Sequence, residues 1–278
     1  AWELAGKYPR IMKDEIVGAQ ATALLHDAKI MLSDIVLHKK IKAKAVFKVF
    51  PVNSSSAEDV EFYEDNSRSV ISARIHTLRQ QQLKPPGQPN YALADFVAPK
   101  TAAKEDYLGA FALTAGLGVD ELVKKYEADH DDYSSIMVKA LADRLAEAFA
   151  EKLHEIVRKD YWGYAADESL SGEDLISESY QGIRPAPGYP ACPDHTEKKT
   201  LWEILNVEKN IGMTLTENFA MNPAASVSGW YFSHANARYF GVGKINRDQL
   251  DDYASRKGFT SKEAERWLSS SLSYEPEE

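Results

Sequence analysis

The sequence has little of several features that would place it in a common class. Its 278 residues contain one cysteine, Cys192, so the chain can form neither an internal disulfide nor a cysteine-based structural zinc site. No apolar run approaches the length of a membrane span, and the opening residues lack the pattern of a secretory signal. The formal net charge is -9, whereas nucleic-acid binding needs a basic face. We therefore expect a cytoplasmic protein without membrane or nucleic-acid partners.

The composition and the order of elements predict one globular α+β domain. Hydrophobic residues make up 44% and charged residues 27% of the chain, which is ordinary for a globular protein. Helical periodicity covers residues 14–38 and 132–160. Two hairpins are predicted, one pairing 60–63 with 69–76 and one pairing 226–233 with 238–245. Because the strands come in hairpins, we expect a central antiparallel sheet flanked by helices, in a single domain over residues 1–278.

The longest predicted helix carries two acidic residues on one face. Asp143 and Glu147 are four residues apart, so they share that face. They could contact a ligand, or they could form a solvated face that pairs with neighbouring basic side chains. The opposite, apolar stripe is predicted from the helical spacing of Met137, Leu141, Leu145, Phe149, Leu153 and Ile156. Alanines on most of the remaining surface permit close approach, so we expect this helix to be central.

A stiff loop, residues 184–195, contains four of the chain's 12 prolines. Prolines fix φ and push the preceding residues toward extended conformations, so the loop loses little entropy on binding. Arg184 offers a planar fork suited to a carboxylate, and Gly188 lets a ligand approach the backbone. The few backbone donors that remain include those of Ala186, Gly188 and Tyr189. The residues alone leave two interpretations open, a ligand-binding loop or a rigid surface connector with a solvated arginine.

The same loop carries a family resemblance. Residues 184–195 read Arg-Pro-Ala-Pro-Gly-Tyr-Pro-Ala-Cys-Pro-Asp-His, which resembles a signature of the S-adenosylmethionine-binding reactivation (activation) domain of cobalamin-dependent methionine synthase. The stretches 4–9, 93–100, 136–144 and 226–234 resemble that domain too, in the expected order. The resemblance covers nearly the whole chain. It implies a C-shaped, helmet-like domain that forms part of a larger multidomain methyltransferase.

The resemblance also implies a function. Such a domain binds S-adenosylmethionine as methyl donor and presents the methyl group to cob(II)alamin for reductive methylation, with an electron from a flavodoxin-like donor. The cobalamin is held by a separate domain not in this chain, and the chain itself lacks the cobalamin-ligating pattern Asp-x-His-x-x-Gly. Its expected partners are the cobalamin-binding domain and the flavodoxin-like donor. The isolated domain is expected to be non-catalytic, with no catalytic residue and no metal ligand.

Site residues follow from the resemblance position by position. Arg184 is expected to hold the ligand's carboxylate, and Asp143 to contact the cobalamin-carrying domain. The other residues expected at the S-adenosylmethionine site are Ala186, Gly188, Tyr189, Glu147, Tyr239 and Phe240. The family has a further ligand-binding aspartate just upstream of the position of Ala1. We expect the chain to be a fragment of a longer protein and its affinity to be reduced without that aspartate.

Other patterns are weaker. Cys192 and His195 have a Cys-x-x-His spacing, but no further zinc ligands are evident nearby. Gly241-Val242-Gly243 lacks the third glycine and the strand-turn-helix context of a dinucleotide site, which argues against a Rossmann-type methyltransferase. Glycines at these two positions would clear space beside Tyr239 on one face of a strand, or mark a bulge. Two other functions stay open, a self-contained methyltransferase with its own acceptor and a docking module for a redox partner.

Overall fold

A computed structural model describes residues 4–56 and 58–276. Helices account for much of this part of the chain, and the longest, α3, continues into a π-helical turn at Val157–Tyr161. The α-helices are α1 (Gly18–Leu37), α2 (Val119–Ala128), α3 (Asp132–Ile156), α4 (Gly172–Ile176), α5 (Glu197–Leu205), α6 (Val207–Ile211), α7 (Arg247–Lys257) and α8 (Ser261–Trp267). Of these helices, none combines the length and apolar character that crossing a membrane requires.

The strands form one main sheet and one small one. They are β1 (Lys42–Ser54), β2 (Asp59–Tyr63), β3 (Ile71–His76), β4 (Asp106–Leu117), β5 (Thr214–Leu215), β6 (Met221–Asn222) and β7 (Ser226–Tyr231). The five-stranded sheet has the order β3-β2-β1-β4-β7, and β5 pairs with β6. The pairs β1–β2 and β2–β3 are antiparallel. The predicted α+β class with an antiparallel sheet is confirmed.

The first predicted hairpin is present with the expected partners. Val60 pairs with Ile75 and Phe62 with Ala73, and the register shifts between Phe62 and Tyr63. Asp65 organises the turn, because its carboxylate accepts a hydrogen bond from the Ser67 N–H at 2.8 Å. The polar turn signal between two β-rich segments was therefore sufficient to find this hairpin.

The chain divides into two compact units. The first comprises residues 1–44, 113–150 and 222–227, and the second comprises 45–112, 151–221 and 228–278. In the first unit, Tyr133 at the start of α3 donates its hydroxyl hydrogen to Asp27 of α1 at 2.9 Å. A backbone hydrogen bond of 2.9 Å joins the Ala115 N–H to the Ala225 carbonyl.

The buried face of α3 differs from the predicted one. Leu141, Leu145 and Phe149 are only half-buried. The fully buried positions of the first-unit part of α3 are instead mostly small, namely Ser135, Met137, Val138, Ala142, Ala146 and Ala150. Small side chains permit closer approach of neighbouring backbone than leucines do. The predicted central role of the alanines was therefore the better guide, since of the predicted apolar stripe only Met137 and Leu153 are fully buried.

The second unit contains the largest apolar core. Trp230 of β7 is completely buried, and its ring lies 5.5 Å from that of Phe62, which in turn makes an edge-on contact with Phe50 at 5.5 Å. Such tilted and edge-on arrangements are favourable for aromatic pairs. Leu108 and Phe232 belong to the same cluster of buried residues.

The second predicted hairpin is wrong, because 238–245 is not a strand. β7 ends at Tyr231, and the Val242 N–H donates to the Pro190 carbonyl at 2.8 Å instead of to a strand partner. Gly241 and Gly243 weaken strand pairing, and Gly243 has a φ of 77°, outside the extended region. This segment therefore lies against the proline-rich loop, and the expected alternation with Tyr239 along a strand does not occur.

The spacing of Asp194 with Glu197 and of Thr260 with Glu263 predicts a capping box at the start of two helices, and the two predictions have different outcomes. Thr260 caps α8 as expected, with the Thr260 hydroxyl accepting from the Glu263 N–H and Glu263 accepting from the Thr260 N–H, at 3.2 and 3.0 Å. The cap predicted for α5 is wrong, since Glu197 is buried and accepts a hydrogen bond from Lys257 at 2.6 Å. A long-range ion pair thus replaces the local cap.

Candidate functional site

The proline-rich loop is closed by hydrogen bonds within its own backbone. The Gly188 N–H donates to the Cys192 carbonyl at 2.7 Å, and the Cys192 N–H donates to the Tyr189 carbonyl at 2.8 Å. The Tyr189 N–H donates to the Ala186 carbonyl at 3.2 Å. Two of the three backbone donors considered in the sequence are therefore used inside the loop, and the loop conformation is set without a ligand.

Gly188 is required by the loop itself. Its φ is 93°, in the region that favours glycine, and a Cβ there would lie 2.2 Å from the His195 ring. The His195 side chain therefore fills the space beside Gly188, and burial followed by the nearby Lys198 lowers the pKa of its imidazole. The immediate neighbour of Gly188 is this ring.

Arg184, at the start of the loop, is held by three groups. Its backbone N–H donates to the Tyr239 hydroxyl at 3.0 Å. Its Nη1 donates to the Glu151 carboxylate and to the Tyr180 hydroxyl, each at 2.8 Å. Its side chain is 16% exposed and that of Glu151 is 25% exposed. The loop thus presents a half-buried guanidinium that already has one charged partner.

The electrostatics of the site favour a charged arginine. Burial acts to lower the pKa of the Arg184 guanidinium, but Tyr180 and Glu151 outweigh it and raise the pKa above its ordinary value. Burial also raises the pKa of the Tyr239 hydroxyl, which stays protonated and neutral. The site therefore combines a permanent positive charge with a neutral phenol at neutral pH.

The rings of Phe111, Tyr231 and His154 stack on one another near Arg184. The Phe111 and Tyr231 rings stack at 4.4 Å, and the Tyr231 and His154 rings stack at 4.7 Å with an interplanar angle of 6°. His154 also meets the Tyr180 ring edge-on at 5.0 Å. Burial, and then the charges of Arg158 and Arg184, hold the pKa of His154 well below its ordinary value. The stacked rings are therefore neutral at neutral pH.

A buried ion pair packs against the ring of Tyr180. Arg158 is completely buried and donates from Nε and Nη2 to the two oxygens of Glu168, at 2.9 and 2.7 Å. The Cζ of Arg158 lies 4.0 Å from the centroid of the Tyr180 ring, a cation–π contact. Tyr180 is thus fixed on one side by Arg158 and on another by His154.

The remaining predicted site residues occupy distinct places. Tyr189 is 64% exposed at the tip of the loop, and Tyr239 is 43% exposed beside Arg184. Phe240 turns toward the core, where its ring lies 6.0 Å from Tyr91. Asp143 and Glu147 are exposed residues on the part of α3 that belongs to the first unit.

The described residues do not form a cluster of metal ligands. Within residues 4–56 and 58–276, no three His, Cys, Asp or Glu side chains are grouped so that they could hold a metal ion. Cys192 is buried, and burial raises the pKa of its thiol above the ordinary value. Since the thiolate is the form that binds metal, this raised pKa makes Cys192 a poor metal ligand.

Comparison with known proteins identifies the family of this chain. The family described as vitamin B12 dependent methionine synthase, activation domain, matches residues 1–258. The chain belongs to this family. A crystal structure of the MetH reactivation domain bound to AdoHcy is 59% identical, with a TM-score of 0.95 over 99% of this chain and 84% of that chain. The fold and the family implied by the sequence motifs are thereby confirmed.

Two residues that contact Arg184 were missed in the sequence. Glu151, the carboxylate that pairs with Arg184, lies one helical turn after Glu147, so the i to i+4 spacing places both on one face of α3 without choosing between them. Tyr180 precedes Arg184 by four residues in a segment without regular structure, where no periodicity marks it. The contacts of the Tyr180 ring with Arg158 and His154 are seen only in the structure.

Proposed function

We propose that this chain binds S-adenosylmethionine beside the loop 184–195 and presents its methyl group to cob(II)alamin. The electron would come from a flavodoxin-like donor, and the outcome is reactivation of cobalamin-dependent methionine synthase. Cobalamin, held by a separate domain, supplies the cobalt that takes up the methyl group. The task of this chain's own residues is to bind and orient the methyl donor.

The observation that carries the proposal is the state of the Arg184 guanidinium. Both hydrogen bonds of its side chain use Nη1, and among the described residues Nε and Nη2 have no hydrogen-bond partner. A half-buried guanidinium with a free edge is suited to a bidentate carboxylate. The amino-acid part of S-adenosylmethionine carries such a carboxylate, so the residues present fit this group.

The aromatic side chains suit the rest of the ligand. Tyr239 lies beside Arg184 through the hydrogen bond to its backbone, and Tyr189 is exposed on the same loop. Aromatic faces attract cations, including a sulfonium, and they also stack on an adenine ring. The solved relative at 59% identity binds AdoHcy, which is S-adenosylmethionine without its transferable methyl group. This supports the same ligand class for the present chain.

Further parts of the proposal concern residues beyond Arg184. Ala186 and Gly188 would shape the ligand-facing side of the loop, and Phe240 would contribute through its backbone, since its ring packs in the core. Glu147 would contact the ligand, and Asp143 would meet the cobalamin-binding domain. The exposed positions of both carboxylates on α3 are compatible with these roles.

The isolated chain is proposed to bind without catalysing turnover. A sulfonium methyl group is already activated, so no general base is required of this chain, and we assign none. The cobalamin-binding domain and the flavodoxin-like donor would be its partners, in the cytoplasm.

Calorimetric titration of the chain with S-adenosylmethionine and with AdoHcy tests the proposal. Arg184→Ala removes a charge-assisted contact to the carboxylate and should weaken binding by about 1.5–3 kcal/mol. Arg184→Lys keeps the charge but not the planar fork, and should give an intermediate loss.

Arg74→Ala is the matched control. Arg74 on β3 pairs with Glu61 at 2.9 Å, as Arg184 pairs with Glu151, but it lies outside the loop. Its removal should leave the affinity unchanged. Absence of binding heat up to about millimolar ligand, where even weak sites are detected, would reject the proposed function. Unchanged affinity in Arg184→Ala would reject the role of Arg184 alone.

A further inference from the structure

Tyr180 has an orientation that its neighbours fix from two sides. The Arg158 guanidinium covers one face of the ring at 4.0 Å, and the His154 ring stands against it at 5.0 Å with an interplanar angle of 84°. Arg158 is itself anchored by both oxygens of Glu168. The ring of Tyr180 therefore has little freedom to rotate, and the position of its hydroxyl is set.

That hydroxyl and the Glu151 carboxylate share one nitrogen of Arg184. Nη1 donates to both of them at 2.8 Å. A guanidinium Nη carries two hydrogens, so these two acceptors use both. The side-on edge formed by Nε and Nη2 is then the part of the fork left for a bidentate partner. The direction of this edge depends on Glu151 and Tyr180.

We infer that Tyr180 and Glu151 are positioning residues, which hold Arg184 so that its Nε–Nη2 edge receives the carboxylate of the bound ligand. This inference rests on the proposed function and deepens it. Glu151 supplies a charged acceptor from α3, and Tyr180 supplies a neutral one from the segment before the loop. Two acceptors on different segments prevent the guanidinium from turning about its Nε–Cζ bond.

The test uses a variant that removes a single oxygen atom. Tyr180→Phe keeps the ring between Arg158 and His154 and deletes only the acceptor for Nη1. Its affinity is measured by calorimetry for AdoHcy and for decarboxylated AdoHcy, which lacks the carboxylate. Losing one positioning hydrogen bond should weaken AdoHcy binding about threefold to tenfold. The decarboxylated ligand should bind wild type and variant alike, within about twofold.

Two further variants make the comparison specific. Glu151→Gln keeps an acceptor oxygen but removes the charge, and should also weaken AdoHcy selectively. Tyr164→Phe removes a hydroxyl from the same aromatic cluster, one that lies 3.4 Å from His154 Nε2 and has no hydrogen bond to Arg184. Tyr164→Phe should leave both affinities unchanged. Equal weakening of both ligands in Tyr180→Phe would overturn the inference, because a merely structural role affects both, and so would no weakening of either.

A measurement without ligand separates this inference from the proposed function. The ¹⁵N resonances of arginine side chains report rotation about the Nε–Cζ bond. This rotation should be slow for Arg184 in the wild type and faster in Tyr180→Phe. Equal rotation in both proteins would refute the positioning role even where AdoHcy binds. If rotation is slow in the wild type but the wild type does not bind AdoHcy, the proposed function is rejected. Arg184 is then fixed by Tyr180 and Glu151 for a reason other than binding this ligand.

Discussion

Removal of Glu168 should destabilise the second unit far more than removal of an exposed carboxylate. Arg158 is completely buried, and the side chain of Glu168 is 8% exposed. Glu168 accepts hydrogen bonds from both Nε and Nη2 of Arg158, while Nη1 has no partner within the described residues. Glu168→Ala therefore leaves an entire buried guanidinium without a hydrogen-bond acceptor.

The expected magnitude follows from that environment. Breaking a buried ion pair by removing one partner costs about 3–5 kcal/mol, because the other charge stays buried and uncompensated. The Tyr180 ring lies 4.0 Å from Arg158 with or without Glu168, so this cation–π contact does not change the difference. We expect a loss of about 3 kcal/mol in the free energy of unfolding, a large part of the stability of a typical domain.

Urea unfolding followed by near-ultraviolet circular dichroism measures this loss. Glu155→Ala is the control, since Glu155 pairs with Lys152 at 2.7 Å but the lysine side chain is 62% exposed, and its removal should cost less than about 1 kcal/mol. The double substitution Arg158→Met with Glu168→Leu should recover most of the stability, because no charge is left buried. A single Glu168→Ala variant as stable as the control would refute the reasoning.

Two further predictions concern the loop and the stacked rings. Gly188→Ala should destabilise the chain by more than the roughly 1–2 kcal/mol of a left-handed alanine, because its Cβ meets the His195 ring at 2.2 Å. Gly212→Ala, with a φ of 78° and no described atom within 4 Å, should show the left-handed cost alone in thermal unfolding. Since the folded-state pKa of His154 lies well below 6.5, the unfolded chain binds a proton below that pH and the folded chain does not. Stability should therefore fall as the pH drops below about 6.5, by up to about 1.4 kcal/mol per pH unit from this group, and urea titrations of His154→Phe should show a shallower decrease.

Local chemistry made some elements predictable from the sequence. The hairpin of β2 and β3 follows from polar turn residues between β-rich segments, and the cap of α8 follows from Thr260 and Glu263 three residues apart. In both cases the interacting groups are near one another in sequence. Periodicity and spacing then contain the information that decides the structure.

Long-range partners decided the elements that were mispredicted. Glu197 accepts a hydrogen bond from Lys257, 60 residues away, instead of forming the predicted local cap. The Val242 N–H donates to the Pro190 carbonyl instead of to a strand partner. The same holds at the candidate site. The prolines predicted a stiff loop, and Arg184 predicted a carboxylate partner. Glu151, however, lies 33 residues from Arg184 and could not be chosen over Glu147 from spacing alone.

Cys192 gives this loop a reporter that the chain already contains. It is the only cysteine in the sequence, its thiol is buried, and its own N–H and carbonyl close the turn around Gly188. Because the thiol is buried and its pKa is raised by burial, alkylating reagents should react with it only when an opening of the chain exposes it. The rate at which the native protein is labelled therefore reports the openings that expose Cys192, without any added probe.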